Sequence, residues 1–299
     1  MMLIAGTVPV EGMPLTMGKA LDQGDTIVIG DQRIPCTQGT AAMISAALVT
    51  TTYLGLDAPL GLVIGDIGDG KGSRELYRYL IDNVARLLPK VLALHYWLPD
   101  MQQTRDLCRA VDKCSRRPVM IADAASMYSA KAARLASAFD IFTPDATEIA
   151  FLADAEATHP AYVARHLFET DVTQAPELAR TAYRNGNSAK LLLVKGSVDY
   201  IIRDGEVLAK VEEPDVPALE AIGGTGDTIT GLVAALSYCG LEPHEAAIIA
   251  AKANRVAGQF ARATPATRVW QIIHQFPGVF RGHLCSWSGV CCTKGENHD

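Results

Sequence analysis

The strongest constraint on the fold of this chain is a repeated alternation of short apolar runs with helix-length segments. Runs of β character at residues 60–64, 91–96, 119–121, 141–142 and 191–194 alternate with segments 73–87, 101–112, 129–138 and 175–185, where apolar residues recur at helical spacing. A strand that is apolar at every position needs cover on both faces, and strands joined through a helix run parallel. The rhythm therefore predicts an α/β fold with a mostly parallel central sheet between two helical layers. The early runs 26–29 and 32–36 flank Gly30-Asp31 and suit a short hairpin, either a lid over a site or an edge of the sheet. After Pro243 an Ala-rich stretch, 245–263, reads as a buried helix. The pattern weakens beyond Pro265, and 282–299 mixes Gly, Ser, Cys and polar residues without period. One domain is expected over 1–265, followed by a partly disordered extension over 266–299.

Composition narrows the partners. With 49% hydrophobic and 20% charged residues, the 299-residue chain can bury a large core, and its net charge of −6 opposes a nucleic-acid or anionic-membrane surface. A small-molecule partner is the better expectation. No apolar run approaches the roughly 20 residues of a membrane helix, and no basic region leads into a signal core, so a cytoplasmic location is expected. Seven cysteines, at 36, 108, 114, 239, 285, 291 and 292, are odd in number and scattered, which predicts reduced thiols rather than a disulfide framework.

The most informative motif is Gly223-Gly224-Thr225-Gly226-Asp227, which runs directly into an apolar stripe of Ile229, Leu232, Val233 and Leu236 before Gly240 stops the helix. Glycines allow close backbone approach, while the first-turn N–H groups and the positive end of the helix dipole favour a phosphate. A carboxylate at the same point can take a proton from a hydroxyl held beside that phosphate. Read alone, the same residues also serve as a tight turn with Asp227 as a helix cap.

Two further stretches keep company with it. Asp140-Ile141-Phe142-Thr143-Pro144-Asp145-Ala146-Thr147-Glu148 passes from a short strand through a Pro turn into a helix. Glu148 in the first turn can hold hydrated magnesium, or can reach back in a capping arrangement with Thr143 or Asp145. Leu191-Leu192-Leu193-Val194-Lys195-Gly196-Ser197 ends a buried strand in Lys-Gly, at the carboxyl edge where ligands of open α/β sheets gather, and 200–207 forms a hairpin-like segment after it.

In this order and at these separations, the three stretches resemble the ribokinase-like superfamily, whose sugar and vitamin kinases and nucleotide-dependent NAD(P)H-hydrate dehydratases share the closing Gly-rich Asp motif. The resemblance covers about residues 37–262. It implies a catalytic base at Asp227, an anion hole and nucleotide contacts from Gly223, Gly224, Thr225 and Gly226 with Lys195 and Gly196, and a magnesium-organising acid at Glu148. ATP or ADP and Mg2+ are the implied cofactors. A homo-oligomer is also implied, since some members pair strands comparable to the early hairpin.

The branch is mixed. Gly39-Thr40-Ala41-Ala42-Met43, Leu54-Gly55-Leu56-Asp57 and Gly65-Asp66-Ile67-Gly68-Asp69-Gly70-Lys71-Gly72 look like the N-terminal half of sugar kinases, yet Met43 stands where those kinases place a substrate-binding Asn. The centre is more similar to the dehydratases. Ile121-Ala122-Asp123-Ala124 resembles their Asp-Ala-Asp-Ala, Thr143 to Glu148 their Thr-Pro-His-Pro-Gly-Glu, and Val194-Lys195-Gly196 their Leu-Lys-Gly. Asp145 replaces the His of that family, and His95-Tyr96-Trp97-Leu98-Pro99-Asp100 replaces its glycine-rich Gly-Pro-Gly-Leu-Gly loop. Gly39, Asp123, Asp145 and His95 are accordingly the expected substrate contacts, although the aromatic run at 95–97 also reads as a packed corner. Three functions stay open: a nucleotide-dependent dehydratase of hydrated NADH or NADPH, a small-molecule kinase, and a nucleotide-sensing protein without catalysis.

Two weaker signals are set aside. Gly65 to Gly72 nearly spells a P-loop, but Gly72 occupies the position that needs Ser or Thr for magnesium. His283, Cys285, Cys291 and Cys292 lack the paired spacing of a zinc site.

Overall fold

The computed structural model describes residues 1–157 and 174–290. Eleven strands among these residues form one sheet: β1 (Met2–Val8), β2 (Thr16–Asp22), β3 (Thr26–Ile29), β4 (Gln32–Pro35), β5 (Leu60–Gly65), β6 (Val91–His95), β7 (Val119–Ala122), β8 (Ile141–Phe142), β9 (Leu191–Val194), β10 (Asp199–Arg203) and β11 (Glu206–Val211). Their spatial order is β11-β10-β9-β8-β7-β6-β1-β5-β2-β3-β4. The run from β9 to β5 is parallel, and antiparallel pairs extend it at both ends. The early hairpin is thus an edge of the sheet, pinned by buried Ile27, Ile29 and Ile34. The five apolar runs singled out in the sequence are all strands of the parallel block.

Helices α1 (Gly39–Tyr53), α2 (Lys71–Leu87), α3 (Met101–Asp112), α4 (Ala125–Ala132), α5 (Ala146–Ala153) and α6 (Ala175–Arg184) are followed by α7 (Thr225–Cys239), α8 (Pro243–Phe260), α9 (Val269–Ile273) and α10 (Phe276–Ser288). Two apolar cores, one on each face of the sheet, confirm the three layers. One joins β-strand residues to Ile44, Leu232, Ile249, Ile272 and Phe280, and the other joins them to Leu76, Leu80, Leu107, Ile149 and Ala179. The buried pair α1 and α7 sits under the site; a Cβ at Gly231 of α7 would come within 2.2 Å of the Met43 carbonyl, so only glycine permits this approach. Met43 itself is wholly buried in that core and is not part of the wall of the large cavity at the site.

Several elements depart from expectation. The central strand β1 has every residue buried, and its period-less run left it unmarked in the sequence. Segment 129–138 divides into the end of α4 and a 3₁₀ turn, Ala136–Ala138. The expected loose extension is ordered through Ser288, because Val269, Ile272, Ile273, Phe276, Val279, Phe280 and Leu284 lie against α8 and α1. Residues 291–299, with Cys291 and Cys292, lie outside the described residues. Cys36, Cys108 and Cys114 are free thiols, whereas Cys285 is disulfide-bonded, against the expectation of reduced thiols throughout. Among the described residues no helix is long and apolar enough to cross a membrane.

Candidate active site

A cavity of about 1180 Å³ opens over the carboxyl ends of the parallel strands and is lined by Asp123, Glu148, Lys195, Gly224, Gly226 and Asp227, among others. Parallel topology explains the gathering. His95 ends β6, Asp123 follows β7, Thr143 to Glu148 follow β8 and Lys195 follows β9, so every crossover delivers its polar residue to one rim.

The Gly-rich motif is the N-terminal turn of α7. Gly224 adopts φ 95, a left-handed conformation natural to glycine alone, and directs the chain into the helix. First-turn amides receive no intrahelical acceptor, which leaves those of Gly226 and Asp227 available at the cavity. Gly226 does not have positive φ, so the conformational demand lies two residues earlier. Gly223 lies outside the cavity wall, and the Thr225 hydroxyl is consumed by donating to the Leu219 and Ile222 carbonyls at 2.8 and 3.0 Å.

Asp227 is gripped from two sides. Its Oδ2 accepts the Gly39 N–H at 2.6 Å, and its Oδ1 faces His95 Nε2 at 2.9 Å, leaving 18% of the side chain exposed. Burial opposes the charge, but the His95 and Gly39 hydrogen bonds together with nearby Lys195 outweigh it and hold the carboxyl below the usual carboxylate range. His95 is wholly buried behind it. Its Nδ1 lies 3.0 Å from the Thr40 hydroxyl, which itself donates to the Thr7 carbonyl at 2.7 Å. Gly39 and His95, the expected substrate contacts, thus both hold the carboxylate; Gly39 also lines the cavity, whereas His95 lies behind Asp227.

Lys195 and Asp123 form a second buried unit. The Nζ spans both Asp123 oxygens at 2.9 and 3.0 Å, and Thr230 Oγ1 donates to Asp123 Oδ2 at 2.5 Å. Burial alone would lower the lysine pKa, but the carboxylates of Asp123, Glu148 and Asp227 raise it on balance, so the ammonium persists. It stands 3.5 Å from where a Gly226 Cβ would be, beside the first-turn amides of α7. Gly196 has less to offer a ligand, since its N–H donates to Asp199 and its carbonyl accepts from Arg255.

The Asp145 and Glu148 side chains complete a reciprocal capping box at the start of α5, each accepting the other's backbone N–H at 2.8 Å. Capping does not remove Glu148 from the cavity. Burial, followed by the charges of Asp145 and Asp123, pushes its carboxyl well above the usual range, a sign of negative charge with too little compensation. His95, Asp123 and Asp227 also bring ligand atoms within 4.8 Å of one another, but the Lys195 ammonium already occupies Asp123.

The near-P-loop folds into a different arrangement. Asp66 accepts the N–H groups of Gly68, Gly70 and Ser73 and the Ser73 hydroxyl, so a side-chain carboxylate fills the turn where a phosphate would sit. Sequence reasoning missed Thr40 and Thr230, which tune the two carboxylates. It also missed the buried Arg255–Asp199 pair, whose guanidinium holds the Gly196 and Ser197 carbonyls. The spacings i+1 from Gly39 and i+3 from Asp227 could have flagged the threonines, but 56 residues separate Arg255 from Asp199.

A profile of the NAD(P)H-hydrate dehydratase family matches residues 90–274, more than half of the chain, including Asp123, Asp145, Glu148 and Asp227. The chain belongs to that family. An uncharacterized protein of Methanocaldococcus jannaschii is 37% identical over 242 residues, covering 81% of this chain and 100% of that protein. The bifunctional NAD(P)H-hydrate repair enzyme Nnr of Pyrobaculum aerophilum is 29% identical over 206 residues, 67% of this chain but only 38% of that enzyme. Among solved structures, the ADP/ATP-dependent NAD(P)H-hydrate dehydratase of Bacillus subtilis, co-crystallized with ATP/Mg2+ and soaked with CoA, aligns over 94% of this chain and 91% of its own, with a TM-score of 0.54 at 15% identity. The last likeness concerns the ribokinase-like fold.

Proposed function

We propose that this protein dehydrates hydrated NADH or NADPH with ATP or ADP as phosphoryl donor, and that Asp227 is its catalytic base. The observation that carries the reading is an ionised carboxylate in the first turn of α7, held by His95 and Gly39 at the cavity wall beside unfilled helix amides. Asp227 takes the proton of the hydrate hydroxyl as its oxygen bonds to the terminal phosphorus, and the bond from phosphorus to the bridging oxygen breaks to release ADP or AMP. The ring-nitrogen lone pair then expels phosphate, and a proton leaves the adjacent carbon as the double bond returns. Lys195 and the amides of Gly226 and Asp227 face the transferring charge, where a fixed donor is worth far more than in water.

The magnesium expected with the nucleotide is matched by an all-oxygen donor pair, Glu148 and Asp145, whose uncompensated charge favours a hard cation. When bound there it supplies neutralisation of phosphate charge.

The test is incubation of the purified protein with hydrated NADH or NADPH, magnesium and ATP or ADP. Regeneration of the near-ultraviolet absorbance of the reduced nicotinamide is expected, with one phosphate released per molecule. A stable phosphorylated acceptor would assign a kinase instead, and tight nucleotide binding without release would assign a sensor.

A further inference from the structure

Strand β6 ends in a turn whose backbone conformation is hard to reconcile with its sequence unless a side chain is wanted there. Tyr96 has φ 52, a region disfavoured for bulky residues, and its only resolved fellow among cavity-lining non-glycine residues is Ala124. Its neighbours are locked: His95 is wholly buried on Asp227, and Trp97, 3% exposed, stacks on Tyr77 at 4.2 Å. The Tyr96 carbonyl is fixed as well, accepting the Thr7 N–H and hydroxyl. Between these clamps Tyr96 remains 58% exposed, and its hydroxyl has no hydrogen bond to the described residues. Packing explains Trp97, but it does not explain a tyrosine at a position where glycine would be free of strain.

The surroundings say what the ring is for. It lies 5.0 Å from the His95 ring, one residue removed from the carboxylate of Asp227. The same cavity wall carries Val10, Ile67 and Leu98, all exposed, on the β1, β5 and β6 side, whereas Lys195 and the α7 amides lie toward β9. One half of the cavity is therefore aromatic and aliphatic, the other cationic.

We infer that Tyr96 is the specificity-determining residue of the acceptor half, offering its face to the planar conjugated part of a heterocyclic ring that presents a hydroxyl to Asp227. This deepens the proposed function, on which it rests for the choice of a hydrated nicotinamide as the ring. A sugar meets the ring only through C–H groups and lacks the π-overlap that a conjugated acceptor adds, so the site favours the conjugated acceptor.

The experiment compares wild type with Tyr96→Phe, Tyr96→Leu and Tyr96→Gly by calorimetric titration of three probes, hydrated NADH, pyridoxine and ribose, with ATP titrated as control and thermal denaturation run alongside. The two conjugated rings are expected to bind more tightly than ribose. Tyr96→Phe keeps ring affinity, while Tyr96→Leu and Tyr96→Gly lower it roughly tenfold, the scale of one lost aromatic contact. ATP affinity stays constant, and Tyr96→Gly melts no lower than wild type because it relieves the positive φ. Preference for pyridoxine over hydrated NADH, with the same Tyr96 dependence, would overturn the dehydratase reading and leave this inference standing. The inference fails if no ring binds, if ribose binds as well as the rings, if Tyr96→Leu leaves ring affinity within twofold, or if ring and ATP affinities fall together with the melting temperature.

Discussion

Replacement of Asp227 by Asn separates chemistry from architecture, and the hydrogen bonds around the carboxylate show why. Asp227 now accepts from the Gly39 N–H at 2.6 Å and from His95 Nε2 at 2.9 Å. An asparagine of the same shape can turn its carbonyl to Gly39 and its amide to His95 Nε2, with the ring in the tautomer that carries its proton on Nδ1 toward Thr40. Both contacts survive, so folding should be nearly unchanged. The base is gone, however, and an unassisted hydroxyl must attack. A positioned base contributes about 10²–10⁴-fold, so turnover should fall by at least ~10²-fold, or about 2.7 kcal/mol of barrier. Because one negative charge leaves the cavity, nucleotide affinity should be equal or tighter. Phosphate release under saturating acceptor measures the first quantity, and calorimetric titration of ATP the second. Turnover within roughly threefold of wild type, in a variant that still binds ATP, would refute the base assignment.

Four further outcomes follow from the same geometry. The folded carboxyl of Asp227 is held below its ordinary range, so its anion persists as the pH falls through the usual carboxylate values; kcat/KM should lose activity only below them, and the stabilisation from its hydrogen bonds should vanish over the same low window. A normal carboxylate midpoint in the rate profile would contradict this. Glu148→Gln keeps the capping box but removes buried charge beside Asp145 and Asp123, so the protein should melt higher without metal while requiring roughly tenfold or more magnesium for turnover. Gly226→Ala is open to a methyl 3.5 Å from Lys195 Nζ, so its melting point should hold or rise while ATP affinity drops roughly tenfold, whereas Gly224→Ala, at φ 95 and 3.0 Å from Gln38 Cα, should cost stability of about 1 kcal/mol or more. Phe276→Ala should destabilise by about 3–5 kcal/mol in chemical denaturation, since its ring is wholly buried in the core beneath α1 and α8.

The parallel block of the fold was legible because its strands leave a local trace. Residues 60–64, 91–94, 119–122 and 191–194 are apolar throughout, as strands buried on both faces must be, and the first three are each followed by a helix. Strand β1 obeys the same physics, but its Ala-Gly-Thr centre and N-terminal position supply no flanking pattern against which to read it. Strand β2 fails for the opposite reason: Lys19 and Asp22 lie on an antiparallel ribbon with one wet face, so its signal is a weak alternation. The helix α10 was hidden by composition. Phe276, Val279, Phe280 and Leu284 have helical spacing, but the Gly, Ser and Cys residues between them dilute the stripe.

The site shows the deeper limit. Glycines and acids that act through backbone geometry could be read from consecutive residues, because a helix N-terminus is a local object. What a side chain does once it arrives depends on partners from other strands. His95 reads as a substrate contact at the end of β6, but the crossover order puts β1 beside β6, bringing Thr7 and Thr40 behind the ring, and α7 places Asp227 in front of it. This histidine is wholly buried with both ring nitrogens already hydrogen-bonded, so its side chain holds Asp227 in place. The exposed position this vacates passes to the next residue, Tyr96, whose neighbours turn inward and leave its ring facing the cavity. A single buried network thus decides which of two adjacent aromatic rings meets the substrate.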